Sequence, residues 1–66
     1  MKIIVYATAD HASMAAGCAA WASTHGSEMI EGEFKLIEKG PYLFSVRRNK
    51  GSYTVWDNTP EKESTS

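Results

Sequence analysis

The chain has 66 residues and a formal net charge of −1, and 42% of its residues are hydrophobic. This length allows one domain at most, and the near-neutral charge argues against a general polyanion binder, because non-specific nucleic-acid affinity comes from excess Lys and Arg. A single cysteine, Cys18, excludes an intramolecular disulfide, so the expected location is a reducing cytoplasm.

The N-terminal part of the chain predicts a strand followed by a helix. Residues 2–7 form an apolar run that is typical of a strand buried on both faces. Thr8 or Asp10 is the expected N-cap of a helix that extends to about His25, and Gly26 is expected to end it in the left-handed conformation.

The predicted helix has one apolar face and one face of small residues. Met14, Cys18, Trp21 and His25 recur at spacings of four, three and four, with Ala15 and Ala22 beside them. Residues at these spacings share one side of a helix, so this face is expected to pack on a sheet. The opposite face carries Ser13, Ala16, Gly17, Ala20 and Thr24.

Three strands are predicted after the helix. The first covers residues 33–38, and residues 42–57 form a hairpin of aromatic and β-branched segments around a turn at residues 49–51. The complete pattern predicts an α+β fold in the order βαβββ, with one helix packed on a mainly antiparallel sheet. The domain is expected to cover residues 1–58, and residues 59–66 are expected to form a disordered polar tail.

The strand registers can be predicted from the apolar side chains. A three-residue turn at 49–51 places Phe44 opposite Trp56 and Val46 opposite Thr54, whereas a two-residue turn places Phe44 opposite Asp57. The first register keeps the large apolar groups together and is the one we predict. The same reasoning at the turn of residues 39–41 pairs Leu36 with Phe44 and Phe34 with Val46. The predicted core face of the sheet is Phe34, Leu36, Phe44, Val46, Thr54 and Trp56.

The other face of the predicted sheet mixes charged and apolar side chains. In this register Glu33 lies opposite Arg47, and Arg47 lies opposite Tyr53. Acidic residues are concentrated at Glu28, Glu31 and Glu33, and such a cluster suits docking onto a basic site of a partner. The predicted partner-binding residues are therefore Glu28, Glu31, Glu33, Arg47, Arg48 and Tyr53.

The sequence contains no arrangement typical of catalysis or of cofactor and metal binding. His11, Cys18 and His25 are seven residues apart, and seven residues rise about 10.5 Å along a helix, too far for shared coordination or a Cys–His hydrogen bond. Asp10 and His11 are adjacent and point in different directions on a helix. We therefore expect Cys18 to be a buried small hydrophobic residue, the histidines to lie at the helix ends, and the protein to be no enzyme.

Two classes of function remain. The first is a protein-binding inhibitor that covers a site on its partner. The second is a nucleic-acid-binding domain that uses Arg47, Arg48 and Lys50 at the hairpin tip, with Tyr42 and Tyr53 as stacking surfaces. The two classes differ in salt dependence, which is steep for nucleic-acid binders.

The chain is short, is expected to form a single α/β domain without a catalytic motif, and has acids at Glu28, Glu31 and Glu33. In these features it resembles small proteins that phages and mobile elements encode against bacterial defences. It is similar to anti-CRISPR proteins in particular. This resemblance implies binding to a CRISPR effector subunit, with DNA recognition or nuclease recruitment blocked. It assigns no role to an individual residue.

Overall fold

The computed structural model describes residues 2–60 and shows one helix packed on a four-stranded sheet. The predicted α+β fold in the order βαβββ is confirmed. The elements are strand β1 (Lys2–Tyr6), helix α1 (Ala12–His25), and strands β2 (Phe34–Lys39), β3 (Tyr42–Asn49) and β4 (Ser52–Asp57). Short 3-10 turns precede and follow the helix, at Ala9–His11 and Gly26–Glu28.

The strands lie in the order β1-β4-β3-β2. Both hairpin pairs are antiparallel, as predicted, and β1 pairs with β4 in parallel. The prediction that β1 is buried on both faces is wrong, because β1 is an edge strand in which Val5 and Tyr6 are exposed. An apolar run of this length does not distinguish a central strand from an edge strand that is covered on one face only.

The predicted registers of both hairpins are wrong by one residue. The turn between β3 and β4 has two central residues, Lys50 and Gly51, so that Phe44 lies opposite Asp57. The turn between β2 and β3 also has two, Gly40 and Pro41, so that Ile37 lies opposite Phe44. Gly51 and Gly40 adopt φ values of +78° and +60°, which glycine reaches without steric cost.

The register shift exchanges the two faces of β2 and β4. Phe44 and Val46 are fully buried, as predicted, but their partners under the helix are Tyr53 and Val55, together with a partly buried Ile37. The predicted core residues Phe34, Leu36 and Trp56 are exposed, and Thr54 is buried on the opposite face from the helix. Successive side chains of a strand point to opposite faces, so a shift of one residue exchanges the whole set.

The helix contacts the sheet through small residues. Ala15, Cys18 and Ala22 are buried against β1, β3 and β4, with Met14 and Trp21 partly buried at the sides of the contact. Cys18 is 2% exposed, so its predicted role as a buried hydrophobic residue is confirmed. The small residues predicted on the opposite helix face are all exposed, and so is His25, whose ring lies against Trp21.

Both helix ends differ from the prediction. Neither Thr8, before the 3-10 turn, nor His11, before α1, makes a side-chain capping hydrogen bond. Gly26 has an ordinary helical φ of −63° rather than a left-handed one. It lies directly against the ring of Tyr53, where a Cβ atom would be 2.5 Å from Cζ. Gly26 is therefore needed for a close approach and not for its backbone conformation.

The described chain continues past the predicted domain boundary at residue 58. The hydroxyl of Thr59 accepts a hydrogen bond from the Leu43 N–H at 3.1 Å, so Thr59 belongs to the folded domain. The rest of the predicted tail, residues 61–66, lies outside the described residues. Between residues 2 and 60, the helix falls short of the length and hydropathy that crossing a membrane would require.

Candidate functional site

One face of the sheet is packed against α1, and no helix among residues 2–60 covers the other. Side chains alternate along each strand, so the residues between the core positions all project from the uncovered face, which we call the outer face. Four large side chains on it are exposed: Tyr6 (54%), Phe34 (59%), Leu36 (62%) and Trp56 (40%). Single exposed apolar residues are common on proteins, but several on one surface are typical of an interaction site.

Ring stacking and side-chain hydrogen bonds connect residues at the centre of the outer face. The rings of Tyr6 and Trp56 are stacked, with centroids 5.8 Å apart and an angle of 16° between their planes. The amide of Asn58 donates a hydrogen bond to the hydroxyl of Ser45 at 3.0 Å, and the amide of Asn49 donates to Thr54 at 2.7 Å. These bonds satisfy the hydroxyls of the two buried polar residues on this face.

Arg47 is exposed on the outer face, where it lies between Phe34 of β2 and Thr54 of β4. The predicted pairing of Arg47 with Glu33 and Tyr53 is wrong because of the register shift. The other charged side chains that the alternation places on this face are Lys2 and Glu38. Two cations and one carboxylate give the surface little net charge, and its exposed large hydrophobic side chains are the four named above.

Two predicted partner-binding residues occupy positions that do not suit a free contact surface. Tyr53 is 1% exposed and belongs to the core under the helix, which corrects its predicted surface position. Arg48 is partly buried, and its guanidinium donates hydrogen bonds to the backbone carbonyls of Met29 and, at 3.4 Å, Ser27. Arg48 therefore attaches the segment after the helix to β3.

The three predicted acidic residues lie in the segment between α1 and β2. Glu28 and Glu31 are exposed, whereas Glu33 is partly buried and its carboxylate accepts a hydrogen bond from the Ile30 N–H at 2.8 Å. The Arg48 N–H also donates to the Glu33 carbonyl at 2.9 Å. The structure thus brings Glu33 next to Arg48 rather than next to Arg47.

A second feature, a cleft of about 540 Å³ beside the start of the helix, was missed by the sequence prediction. His11 and Asp57 meet here, with His11 Nδ1 2.7 Å from Asp57 Oδ2, and the imidazole lies edge-on to the ring of Tyr42. The pairing depends on the two-residue turn of the β3–β4 hairpin, which directs Asp57 to the helix side. The predicted register directed Asp57 to the other face, so no sequence signal linked it to His11.

Burial of the Asp57 carboxylate disfavours its charged form, but hydrogen bonds from His11, Thr59 and the Thr8 N–H outweigh burial and lower its pKa from 3.8 to about 2. Asp57 is therefore ionised at neutral pH and accepts a hydrogen bond from the Nδ1–H of His11. The pair joins the start of the helix to the end of β4. This contact also explains why a carboxylate is tolerated opposite Phe44, since Asp57 lies at the end of the strand with its oxygens hydrogen-bonded.

An imidazole held by a carboxylate is the arrangement of a general base, but general-base catalysis of acyl transfer also requires a nucleophile. Cys18 does not provide it, because burial raises the pKa of its thiol. Within residues 2–60, no group of three or more His, Cys, Asp or Glu side chains is placed to hold a metal ion. The observed His11–Asp57 contact links the start of the helix to the end of β4.

The hydrogen-bonded state of Asp57 predicts a pH-dependent stability. The unfolded carboxyl binds a proton near pH 3.8 and the folded one near pH 2, so the contribution is complete above about pH 4 and is lost as the pH falls towards 2. We expect Asp57→Asn to lower the free energy of unfolding by about 1–2 kcal/mol at pH 6, less than the full shift implies because water screens the pair.

Urea unfolding of both proteins between pH 2 and pH 6 measures this difference. The difference is expected to shrink to a small fraction of its pH 6 value near pH 2, where wild-type Asp57 is about half protonated. Asp10→Asn is the control, because Asp10 is an exposed carboxylate in the same cleft. A difference for Asp57→Asn that does not change with pH would contradict the assigned hydrogen bonds.

Comparison of the chain with protein-family models, curated proteins and solved structures finds no match.

Proposed function

We propose that the protein is a small, non-enzymatic inhibitor that binds a protein partner through the outer face of its sheet. The observation that carries this proposal is the set of exposed side chains Tyr6, Phe34, Leu36 and Trp56 on one surface that no other element of residues 2–60 covers. Burying such side chains against a partner releases their hydration and supplies most of the binding free energy in protein interfaces.

The composition of the outer face favours a protein partner. Trp, Tyr and Arg are the residues most often found as binding hot spots, and Trp56, Tyr6 and Arg47 all lie here. The Tyr6–Trp56 stack and the paired hydroxyls of Ser45 and Thr54 hold the surface in one conformation. A preorganised surface loses less conformational entropy on binding, which increases affinity.

The nucleic-acid alternative loses support from the same structure. It required Arg47, Arg48 and Lys50 as free cations, with Tyr42 and Tyr53 as stacking surfaces. Tyr53 is buried, and the Arg48 guanidinium is hydrogen-bonded to two backbone carbonyls. The stacked pair of Tyr6 and Trp56 offers an aromatic surface for bases, but Lys2 and Arg47 are the only cations that the strands within residues 2–60 place on the outer face to meet phosphates.

The resemblance to anti-CRISPR proteins makes a CRISPR effector subunit the first partner to test. In that case the protein would act in the bacterial cytoplasm and block DNA recognition by occupying a surface of the effector. The exposed acids Glu28 and Glu31 would contribute by electrostatic attraction to a basic site that normally binds nucleic acid. An inhibitor of this kind needs an interface but no catalytic group.

The proposal predicts a large effect of Trp56→Ala on partner binding. The test measures binding to purified CRISPR effector complexes and to partners captured from a bacterial lysate. Trp56→Ala is expected to weaken binding about 30-fold or more, the loss typical of a hot-spot residue. Ile30→Ala is the matched control, because Ile30 is 74% exposed but lies outside the sheet.

Equal binding by the wild type and Trp56→Ala would contradict the outer face as the contact surface. Capture of RNA or DNA without a protein partner, with affinity that falls steeply as salt rises, would instead support the nucleic-acid alternative. Thermal unfolding of each variant by circular dichroism shows whether a loss of binding follows from loss of the fold.

A further inference from the structure

Strand β2 has backbone groups that are free to pair with another strand. It is an edge of the sheet and is hydrogen-bonded to β3 alone among residues 2–60. The Arg48 N–H donates to the Glu33 carbonyl, and antiparallel bonds recur at every second residue, so the odd-numbered residues of β2 use their backbone groups towards β3. The backbone groups directed to the open edge are those of Phe34, Leu36 and Glu38.

The helix leaves a groove beside this edge. Helix α1 packs mainly on β1, β3 and β4, and a groove of about 230 Å³ remains between the helix and β2. Apolar side chains form most of its surface. The residues around it are Met14, Gly17, Cys18, Trp21, Ile37 and Lys39. A side chain from a strand added to β2 would cover the open side of this groove.

The charged residues on the groove side of β2 indicate which side chains an added strand would place opposite them. Lys35, Ile37 and Lys39 project from the same face of the strand, so one apolar side chain lies between two exposed cations. Neither ammonium group forms an ion pair with any residue from 2 to 60. In an antiparallel pair, opposite residues interact directly, and opposite charges there are stabilising.

We infer that β2 receives an antiparallel strand of a protein partner, and that the helix-side residues of this strand alternate acidic, apolar, acidic. The inference rests on the proposed function, since it specifies how the partner binds. The backbone groups of Phe34, Leu36 and Glu38 supply the hydrogen bonds, and the groove and the two lysines select the side chains. Strand addition to a free edge is an established mode of recognition between proteins.

A second copy of the chain paired at this edge around Ile37 would meet charge repulsion. Antiparallel pairing of two β2 strands around Ile37 would place Lys35 of each copy opposite Lys39 of the other. Like charges directly opposite each other destabilise a strand pair, and lysines on edge strands are a common protection against self-association. The same two residues that would attract an acidic strand therefore oppose dimerisation through β2 in this register.

The experiment is an NMR titration of the ¹⁵N-labelled protein with a blocked heptapeptide, Thr-Glu-Thr-Val-Thr-Glu-Thr. The amide resonances of Phe34, Leu36 and Glu38 are expected to shift and to saturate at high micromolar to millimolar peptide. The control peptide, in which both glutamates are lysines, is expected to bind at least tenfold more weakly. Equal binding of the two peptides, shifts at β1 instead, or no shift at millimolar peptide would overturn the inference.

Two variants distinguish the contribution of the backbone to peptide binding from that of the side chains. The N–H of Leu36 points to the open edge and makes no bond to β3. Leu36→Pro removes this N–H and is expected to abolish peptide binding, whereas Leu36→Ala keeps the N–H and is expected to retain most of the binding. If Leu36→Pro does not fold, Lys35→Glu with Lys39→Glu provides the test by reversing the preference between the peptides. Peptide titration is independent of Trp56→Ala, so failure here and failure of the outer-face proposal are distinguishable.

Discussion

Replacing Phe44 with alanine is expected to destabilise the protein by about 3–5 kcal/mol, the usual cost of truncating a fully buried aromatic residue. Phe44 is 0% exposed and packs between the helix and the sheet. A domain of this length has a total stability near the low end of the range of 5–15 kcal/mol that is typical of proteins. Most of the Phe44→Ala protein is therefore expected to be unfolded at moderate urea concentration.

The matched control is Phe34→Ala on the neighbouring strand. Phe34 is 59% exposed on the outer face, so the same truncation is expected to change stability by no more than about 1 kcal/mol. Urea unfolding followed by circular dichroism measures both values. An equal, large loss in the two variants would favour the register in which both phenylalanines lie in the core, and would contradict the two-residue turn at Gly40 and Pro41.

Gly26→Ala is expected to destabilise the protein by about 1–3 kcal/mol, because the added methyl group overlaps a packed core residue. Its Cβ would lie 2.5 Å from Tyr53 Cζ and 2.7 Å from the hydroxyl oxygen. Tyr53 is buried, so its ring cannot turn aside into solvent. Urea unfolding measures the effect. Gly17→Ala is the control, because nothing lies within 4 Å of a Cβ atom at Gly17. Alanine at this position is expected to stabilise the helix by about 1 kcal/mol.

The double variant with Tyr53→Phe identifies the contact. The Tyr53 hydroxyl is buried and has no hydrogen-bond partner within residues 2–60, so its removal is expected to leave stability unchanged or to raise it by about 1 kcal/mol. Gly26→Ala is expected to cost less in the Tyr53→Phe background, because one of the overlapping atoms is then absent. Additive effects of the two substitutions would show that the loss at Gly26 arises from something other than this contact.

The elements and their order were predictable because they depend on local signals. Apolar and β-branched runs predicted the strands, and the spacing of Cys18 and Trp21 predicted the buried side of the helix. Gly40 and Gly51 predicted where the turns lie. Each of these signals acts within a few residues of the chain, so the βαβββ order and the position of Cys18 in the core could be derived without tertiary contacts.

The candidate site could not be derived in the same way, because it depends on which face each strand presents to the helix. The apolar neighbours of Phe44 disfavour its pairing with Asp57, and they carry no information about His11, which is 46 residues away from Asp57 in the chain. The predicted register therefore exchanged Trp56 with Val55 and Thr54 with Tyr53. It thereby assigned exposed residues to the core and placed a core tyrosine on the binding surface.

The sequence by itself determined the fold class, the positions of the turns and the apolar side of the helix. Only the tertiary structure decided that Tyr6, Phe34, Leu36 and Trp56 form an exposed surface and that β2 has an open edge beside a groove. The physical reason is that both faces of β2 and β4 carry large apolar residues. Local patterning therefore permits either register, and long-range contacts such as His11 with Asp57 and Gly26 with Tyr53 belong to only one of them.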